Sequence, residues 1–264
     1  MADNPSQVSL DDFYTTEYIL QKERLYGLHY SSSGGEAATK DLLLRARLQP
    51  NEKVLDVCCG QGGPAMFMAR HFGVHVHGID ISQNLINLGR QRLAVCEPIV
   101  QQRVQLEIAD ATTVQLQKNY YDVIYSKDSI TMIENKKKLF ENLMSAVRPS
   151  GRIFISDWCR GEINLSQPTY NRGYKLKGWD NMSTVQVNVQ YIEAAGFKSV
   201  TVEDNTKDMI NYLENALRFF EATKQAFIKD FDCNSYKSIE EFFSVRVENM
   251  KEGTIRWVLF TAAA

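Results

Sequence analysis

The chain is poor in the features that mark several protein classes. Its five cysteines, Cys58, Cys59, Cys96, Cys159 and Cys233, are odd in number and show no metal-ligand spacing, so no metal site is expected. The adjacent pair Cys58-Cys59 suits neither a C-x-x-C redox pair nor a zinc knuckle, and the thiols read as small buried side chains in a reducing compartment, the cytosol. Charge of one sign is also lacking: the net charge is −2. With no global positive field, nucleic acid and anionic membrane are poor partners and a small molecule is the better expectation. No apolar run approaches the length of about 18 residues that a bilayer span needs. Residues Met1 to Leu10 are polar and acidic, unlike a signal peptide. Internal repeats and low-complexity tracts are absent, and nothing in the sequence speaks for an oligomer, so a monomer is favoured.

What is present is enough apolar surface for a sizeable core: 264 residues, 44 % apolar and 11 % aromatic. The expectation is a single domain over 1–264, with a cap at 13–48, a core at 50–160, and a lid and helical insertion at 158–182 and 207–251. Residues 13–30 have helical spacing, Ser31-Ser32-Ser33-Gly34-Gly35 breaks that helix, and Glu36 to Leu48 begins another. The pattern then alternates. Strands are expected at 53–58, 74–79, 103–108, 121–126 and 151–156, and helices at 62–72, 82–94 and 135–147. This implies an α/β fold with a mostly parallel sheet covered on both faces. Two later β-rich runs, 198–204 and 254–262, bring the sheet to seven strands. Between them Ile210, Leu213, Leu217 and Phe220 recur at helical spacing. Residues 158–182 are aromatic, basic and aperiodic, the pattern of a substrate lid ahead of a helix at 184–195.

The chemistry begins at Val54-Leu55-Asp56-Val57-Cys58-Cys59-Gly60-Gln61-Gly62-Gly63, echoed by Gly78-Ile79-Asp80. An apolar run enters a glycine-rich turn, and a second ends in an acid, the layout of a βαβ unit for an adenosine-containing cofactor. Ala65 stands where a dinucleotide fingerprint has its third glycine, a tolerated change, so spacing alone leaves NAD open. Asp56 discriminates. A carboxylate there repels a pyrophosphate but attracts S-adenosylmethionine, which carries an ammonium and a sulfonium and no phosphate. Asp80, 18 residues after Gly62, can accept both ribose hydroxyls, and Asp110 can take the adenine amino group. Each acid taken alone also suits a helix N-cap, but three at successive strand ends favour a ligand.

These motifs, over roughly residues 50–160, resemble the class I S-adenosylmethionine-dependent methyltransferases, with their Rossmann-like fold. By that resemblance Asp56, Gly60, Asp80, Ile81 and Asp110, with Ala111 and Ser126, are cofactor contacts. Cys58-Cys59 departs from the pattern, where Gly or Ser is commoner. Further motifs are Tyr14 ahead of Tyr30-Ser31-Ser32-Ser33-Gly34-Gly35, Tyr125-Ser126-Lys127-Asp128, Ile155-Ser156-Asp157-Trp158-Cys159 and Arg256-Trp257. With these the chain resembles the phosphoethanolamine N-methyltransferases over about residues 13–260.

The resemblance implies conversion of phosphoethanolamine toward phosphocholine by methyl transfers to nitrogen. It implies that Tyr14 closes over the cofactor beside the reacting amine, that Ser32 contacts the cofactor, and that Asp128 lies on the amine side. Lys127 stands where the family has arginine, Arg246 aligns with a phosphate-binding lysine, and Trp158 replaces a tyrosine. Tyr174, Lys177 and Trp179 fall near the family's remaining phosphate ligands. One position departs seriously: the family places a histidine after Ser126-Lys127-Asp128-Ser129-Ile130-Thr131, and this chain has Met132. A thioether relays no proton at neutral pH. Three readings stay open: a slow enzyme relying on Tyr14 and Asp128, a paralogue methylating a different amine or hydroxyl acceptor, or a cofactor-binding homologue without turnover.

Overall fold

The computed structural model describes residues 14–161 and 181–264. The chain enters through helix α1 (Thr16–Tyr26), started by the Thr15 hydroxyl accepting from the Tyr18 amide, and α2 (Gly35–Arg45). Strand β1 (Lys53–Val57) leads through the glycine turn into α3 (Gly63–Phe72). Strand β2 (His75–Asp80) follows, and α4 (Gln83–Leu93) is capped by Ser82, whose hydroxyl accepts from the Leu85 amide. Next come α5 (Pro98–Arg103), β3 (Val104–Ile108) and β4 (Tyr121–Lys127). A 3₁₀ turn (Ile130–Met132) precedes α6 (Lys136–Ala146) and the long strand β5 (Val147–Arg160). The later part holds α7 (Val185–Ala194), β6 (Lys198–Asp204), α8 (Thr206–Ala222), α9 (Lys224–Asp230), α10 (Cys233–Lys251) and β7 (Ile255–Ala263).

The seven strands form one sheet in the order β3-β2-β1-β4-β5-β7-β6. The pairs from β3 to β5 are parallel, and β7 runs antiparallel between β5 and β6. This is the expected α/β architecture with all seven expected strands. From β1 the chain steps outward through β2 to β3, then returns to place β4 on the other side of β1. That reversal makes the carboxyl ends of β1 and β4 a switch point, where open α/β sheets bind ligands.

Side chains alternate across β1. Val54 joins Met66, Met68 and Ile86 in one core, while Leu55 and Val57 join Leu139, Phe140 and Ile192 in the other. Both faces are therefore covered, and β1 and β4 read as near-continuous apolar runs. The first core continues into the later helices, where Phe220 stacks on Tyr236 at 4.5 Å between ring centroids. The edge strand β6 is almost wholly exposed and carries Lys198, Glu203 and Asp204, charges that discourage pairing with another sheet.

Strand β5 differs from expectation at both ends. It begins four residues before the expected start at 151, because Val147 already pairs with Tyr121 ahead of a register shift. Its far end takes residues 158–160 out of the expected lid. The rest of that segment, 162–180, lies outside the described residues, and with it Tyr174, Lys177 and Trp179. The chain returns at Asn181, whose carbonyl accepts from Lys136 Nζ at 2.7 Å, and at Ser183, whose carbonyl accepts from the Arg160 amide at 2.9 Å. Among the described residues no helix is long and apolar enough to cross a membrane.

Candidate active site

The glycine turn is shaped by left-handed backbone at Cys58 (φ 58°), Gly60 (φ 57°) and Gly62 (φ 78°). At Gly60 a Cβ would meet only Ser31 Oγ, 3.6 Å away, so the space above this backbone is open to a ligand. At Gly62 it would meet the Leu106 methyl carbons at 3.0 Å, so that glycine serves packing under the turn.

Asp80 organises the turn. Its Oδ2 accepts from the Gly60 amide at 2.8 Å and its Oδ1 from the Ser82 amide at 2.9 Å. Asp80 is not the cap of α4, which is Ser82; its carboxylate steadies the amide of that cap and lines the cavity. Asp110, two residues past β3, is held by Thr112, whose amide and hydroxyl reach Oδ1 at 2.8 and 2.7 Å.

Asp56 is different. It is 2 % exposed, and its Oδ2 is buried without a hydrogen-bond partner. Burial, with the charge of Asp80 added, pushes its carboxyl well above the usual carboxylate range. A buried acceptor left unmatched costs stability unless a ligand supplies the donor. Strands β1, β2 and β3 are neighbours, so Asp56, Asp80 and Asp110 line one cavity of about 420 Å³, with Gly60, Ile81 and Ala111.

Tyr14, Ser32, Lys127, Asp128 and Met132 line the same cavity. Tyr14 is carried just ahead of α1, and its carbonyl accepts from Asn84 Nδ2 at 3.2 Å. Burial raises its phenol far above the ordinary value, against a smaller opposing effect of Arg246. Tyr14 is therefore a phenol at neutral pH, a donor and not a base. Asp128 follows β4 with left-handed backbone (φ 62°), and its amide donates to the Ser156 carbonyl at 2.9 Å. Its Oδ2 accepts from Lys127 Nζ at 3.1 Å and its Oδ1 from Trp257 Nε1 at 2.6 Å.

Several expected substrate or cofactor residues serve other ends. Lys127 Nζ also donates to Ser32 Oγ at 2.9 Å and to the Ser33 carbonyl at 2.7 Å. An ammonium has three donors, and all three are engaged within the protein. Lys127 therefore lines the cavity while tying the serine loop to Asp128. Burial lowers its pKa, with Asp128 acting in the other direction. Ser126 is fully buried, and its hydroxyl donates to the Val57 carbonyl at 2.8 Å, stitching β4 to β1 behind the cavity wall. Trp158 and Arg246 also lie behind that wall. The Arg246 guanidinium sits 4.6 Å from the Trp158 ring centre and 4.3 Å from that of Phe242, and donates to Ser33 Oγ at 2.6 Å. Burial lowers its pKa to about 10.

Sequence reasoning missed three neighbours of this site. Lys22, 5 % exposed, puts its ammonium 4.6 Å from the ring centres of both Phe242 and Phe243, so two cations share one aromatic pair. His29 lines the cavity from the turn after α1, with its Nδ1 buried and unmatched. Trp257 touches Asp128 from a strand 129 residues away. Only Trp257 had left a trace in the sequence, as part of the Arg256-Trp257 motif. Met132 ends the 3₁₀ turn in the cavity wall, where a histidine was looked for. Among the described residues no cluster of three or more His, Cys, Asp or Glu side chains is arranged to hold a metal ion.

The chain is similar to known methyltransferases. A family model described as a methyltransferase domain matches residues 54–151. Phosphoethanolamine N-methyltransferase 1 of Zea mays is 36 % identical over 94 % of this chain and 48 % of its own length. Phosphoethanolamine N-methyltransferase of Plasmodium falciparum is 31 % identical over 94 % of this chain and 92 % of its own. Phosphoethanolamine N-methyltransferase 2 of Haemonchus contortus, solved with phosphomonomethylethanolamine and S-adenosylhomocysteine, superposes with a TM-score of 0.91 at 25 % identity, covering 98 % of this chain and 61 % of that one. The chain spans about half the length of the plant relatives it matches.

Proposed function

The chain belongs to the phosphoethanolamine N-methyltransferase family, and from that premise we propose that it methylates the nitrogen of phosphoethanolamine, or of its mono- and dimethyl forms, toward phosphocholine, using S-adenosylmethionine. The observation that carries the proposal is the single cavity that joins Asp56, Asp80 and Asp110 to Tyr14 and Asp128. In this reading the chain is one methyltransferase domain, with 13–48 as its cap.

The residues present fit the cofactor. The unmatched Asp56 Oδ2 suits an ammonium, the open space over Gly60 admits a close ligand, and the acid on β2 suits a ribose. Asp56 would hold the amino group, Asp80 the ribose hydroxyls and Asp110 the adenine amino group, with Ile81 and Ala111 as apolar walls. When bound, S-adenosylmethionine supplies an activated methyl group on a sulfonium.

The remaining work falls to the chain. Tyr14 lines the site as a buried phenol, and Asp128 accepts an N–H of the substrate amine and orients its nitrogen. Proximity of this kind supplies a large share of such a barrier. Arg246 and Lys22, two buried cations on one aromatic pair behind the cavity wall, add a positive field that favours a phosphate in the cavity. An alkylammonium has a pKa near 10, and the nitrogen reacts only as the free base. With Tyr14 protonated and Met132 in place of a relay, the proton leaves to water before reaction, and turnover is slow.

Met132 also supports a second reading, a paralogue for another acceptor or a homologue without turnover. The test is methyl transfer read by mass spectrometry with phosphoethanolamine, its mono- and dimethyl forms, and unphosphorylated ethanolamine. Methylation of the phosphorylated amines alone is expected. Methylation of ethanolamine with equal efficiency would favour the different-acceptor reading.

A further inference from the structure

We propose that Trp257 is a positioning residue for the methyl acceptor: its indole N–H fixes the Asp128 carboxylate in the orientation that receives the substrate amine. The inference rests on the methyltransferase reading above. Trp257 is 2 % exposed in β7 and is not part of the cavity wall, so its effect passes through Asp128.

The carboxylate is restrained at both oxygens, by Trp257 Nε1 at 2.6 Å on Oδ1 and by Lys127 Nζ at 3.1 Å on Oδ2. Its backbone is restrained as well, by the bond from the Asp128 amide to Ser156 and by left-handed φ. The tryptophan is itself clamped. Its amide donates to Thr206 Oγ1 at 3.0 Å, its carbonyl accepts from the Asn205 amide at 2.9 Å, and it lies opposite Trp158 in the sheet. An indole N–H is donor only and calls for an acceptor, while a carboxylate offers about four lone-pair positions. Two are taken inside the protein, and the others remain for the cavity that Asp128 lines. Lys127 cannot do this alone, because its ammonium is shared with Ser32 and Ser33. Without the indole N–H, Asp128 is held through one oxygen and swings about its side-chain bonds, and the amine loses a fixed partner.

Trp257→Phe keeps an aromatic ring and removes the donor. Loss of a hydrogen bond to a charged group predicts a fall in kcat of about 10- to 100-fold. KM should change little and S-adenosylmethionine affinity not at all, whereas a merely structural role would lower cofactor affinity and thermal midpoint along with kcat. The double variant Asp128→Ala/Trp257→Phe should be no slower than Asp128→Ala alone, since Asp128→Ala already removes the acceptor through which Trp257 acts. Parental turnover in Trp257→Phe, or losses that multiply in the double variant, would overturn the proposal. A second measurement needs no turnover. The Trp257 indole resonance, one of three in the chain and assigned by its loss in Trp257→Phe, should move when phosphoethanolamine is titrated into the S-adenosylhomocysteine complex, and should be displaced in Asp128→Ala. A resonance indifferent to Asp128→Ala contradicts the proposal. A parent that methylates no phosphorylated amine fails the functional reading instead, and the resonance still reports on the indole–carboxylate contact.

Discussion

Replacing Asp56 by asparagine should flatten the pH dependence of stability and weaken the hold on S-adenosylmethionine. Asp56 is 2 % exposed on β1, and burial raises its carboxyl well above the ordinary range. In the unfolded chain an aspartate ionises near pH 3.9. Between about pH 4 and the raised value, the folded state holds a proton that the unfolded state has released. Stability therefore falls as pH rises across that window, by up to about 1.4 kcal/mol per pH unit from this one group. Asparagine has nearly the same shape and no such proton. Its amide also lacks a partner there, at a cost of about 1–3 kcal/mol that does not vary with pH. The signature is thus the slope: the variant gains on the parent steadily as pH rises from about 5 toward the raised value of the Asp56 carboxyl. Binding moves the other way. Loss of a carboxylate–ammonium hydrogen bond of about 1.5–3 kcal/mol weakens Kd roughly 10- to 150-fold. The parent should also release protons on binding at pH values within that window, because an ammonium beside Asp56 favours its ionised form. Urea unfolding across the pH range, and calorimetry in two buffers of different ionisation heat, read both effects. A variant with the parent's pH slope, or with the parent's affinity and proton release, would refute the assignment of Asp56.

Other expectations follow from the same geometry. Asp80→Ala removes the acceptor for the Gly60 and Ser82 amides; S-adenosylmethionine binding by calorimetry should be lost, and unchanged affinity would refute the cofactor site. Met132→His should raise turnover on phosphorylated amines, by up to about 10²-fold if a relay limits the rate. In the parent, log kcat/KM should climb with pH toward the amine pKa near 10, and in the variant it should level off near neutrality; matching profiles would count against the missing-relay account. Arg246→Gln removes the charge behind the cavity wall while keeping a long polar side chain beside Ser33. KM for phosphoethanolamine should rise about tenfold with ethanolamine unaffected, and an equal effect on both amines would remove Arg246 from phosphate binding.

The cofactor half of the site was legible because its signals are local. An apolar run, a glycine turn and an acid at the next strand end all lie between Lys53 and Ile81, and each has a direct structural consequence. The substrate half depends on contacts far apart in sequence. Nothing near Asp128 announces Trp257, and nothing near Arg246 announces Lys22 across the Phe242–Phe243 pair. Lys127 looked like a ligand cation because sequence shows its charge but not the three acceptors that surround it. Helix α5 went unnoticed because it is six residues long, and of its side chains only Val100 is buried, too little for an apolar stripe. The extra length of β5 is hidden because Pro149-Ser150-Gly151 interrupts the apolar pattern between Val147 and Arg152, where the pairing with β4 shifts register.

The central claim is that this cavity moves a methyl group to an amine bearing a phosphate. A single-turnover experiment tests it most directly, with the protein in excess over S-adenosylmethionine carrying an isotopically labelled methyl group and phosphoethanolamine as acceptor. The account predicts slow but complete passage of the label to the nitrogen, faster at higher pH. Cofactor that binds fully and keeps its label, with every methylated form of the acceptor and at every pH, would contradict it.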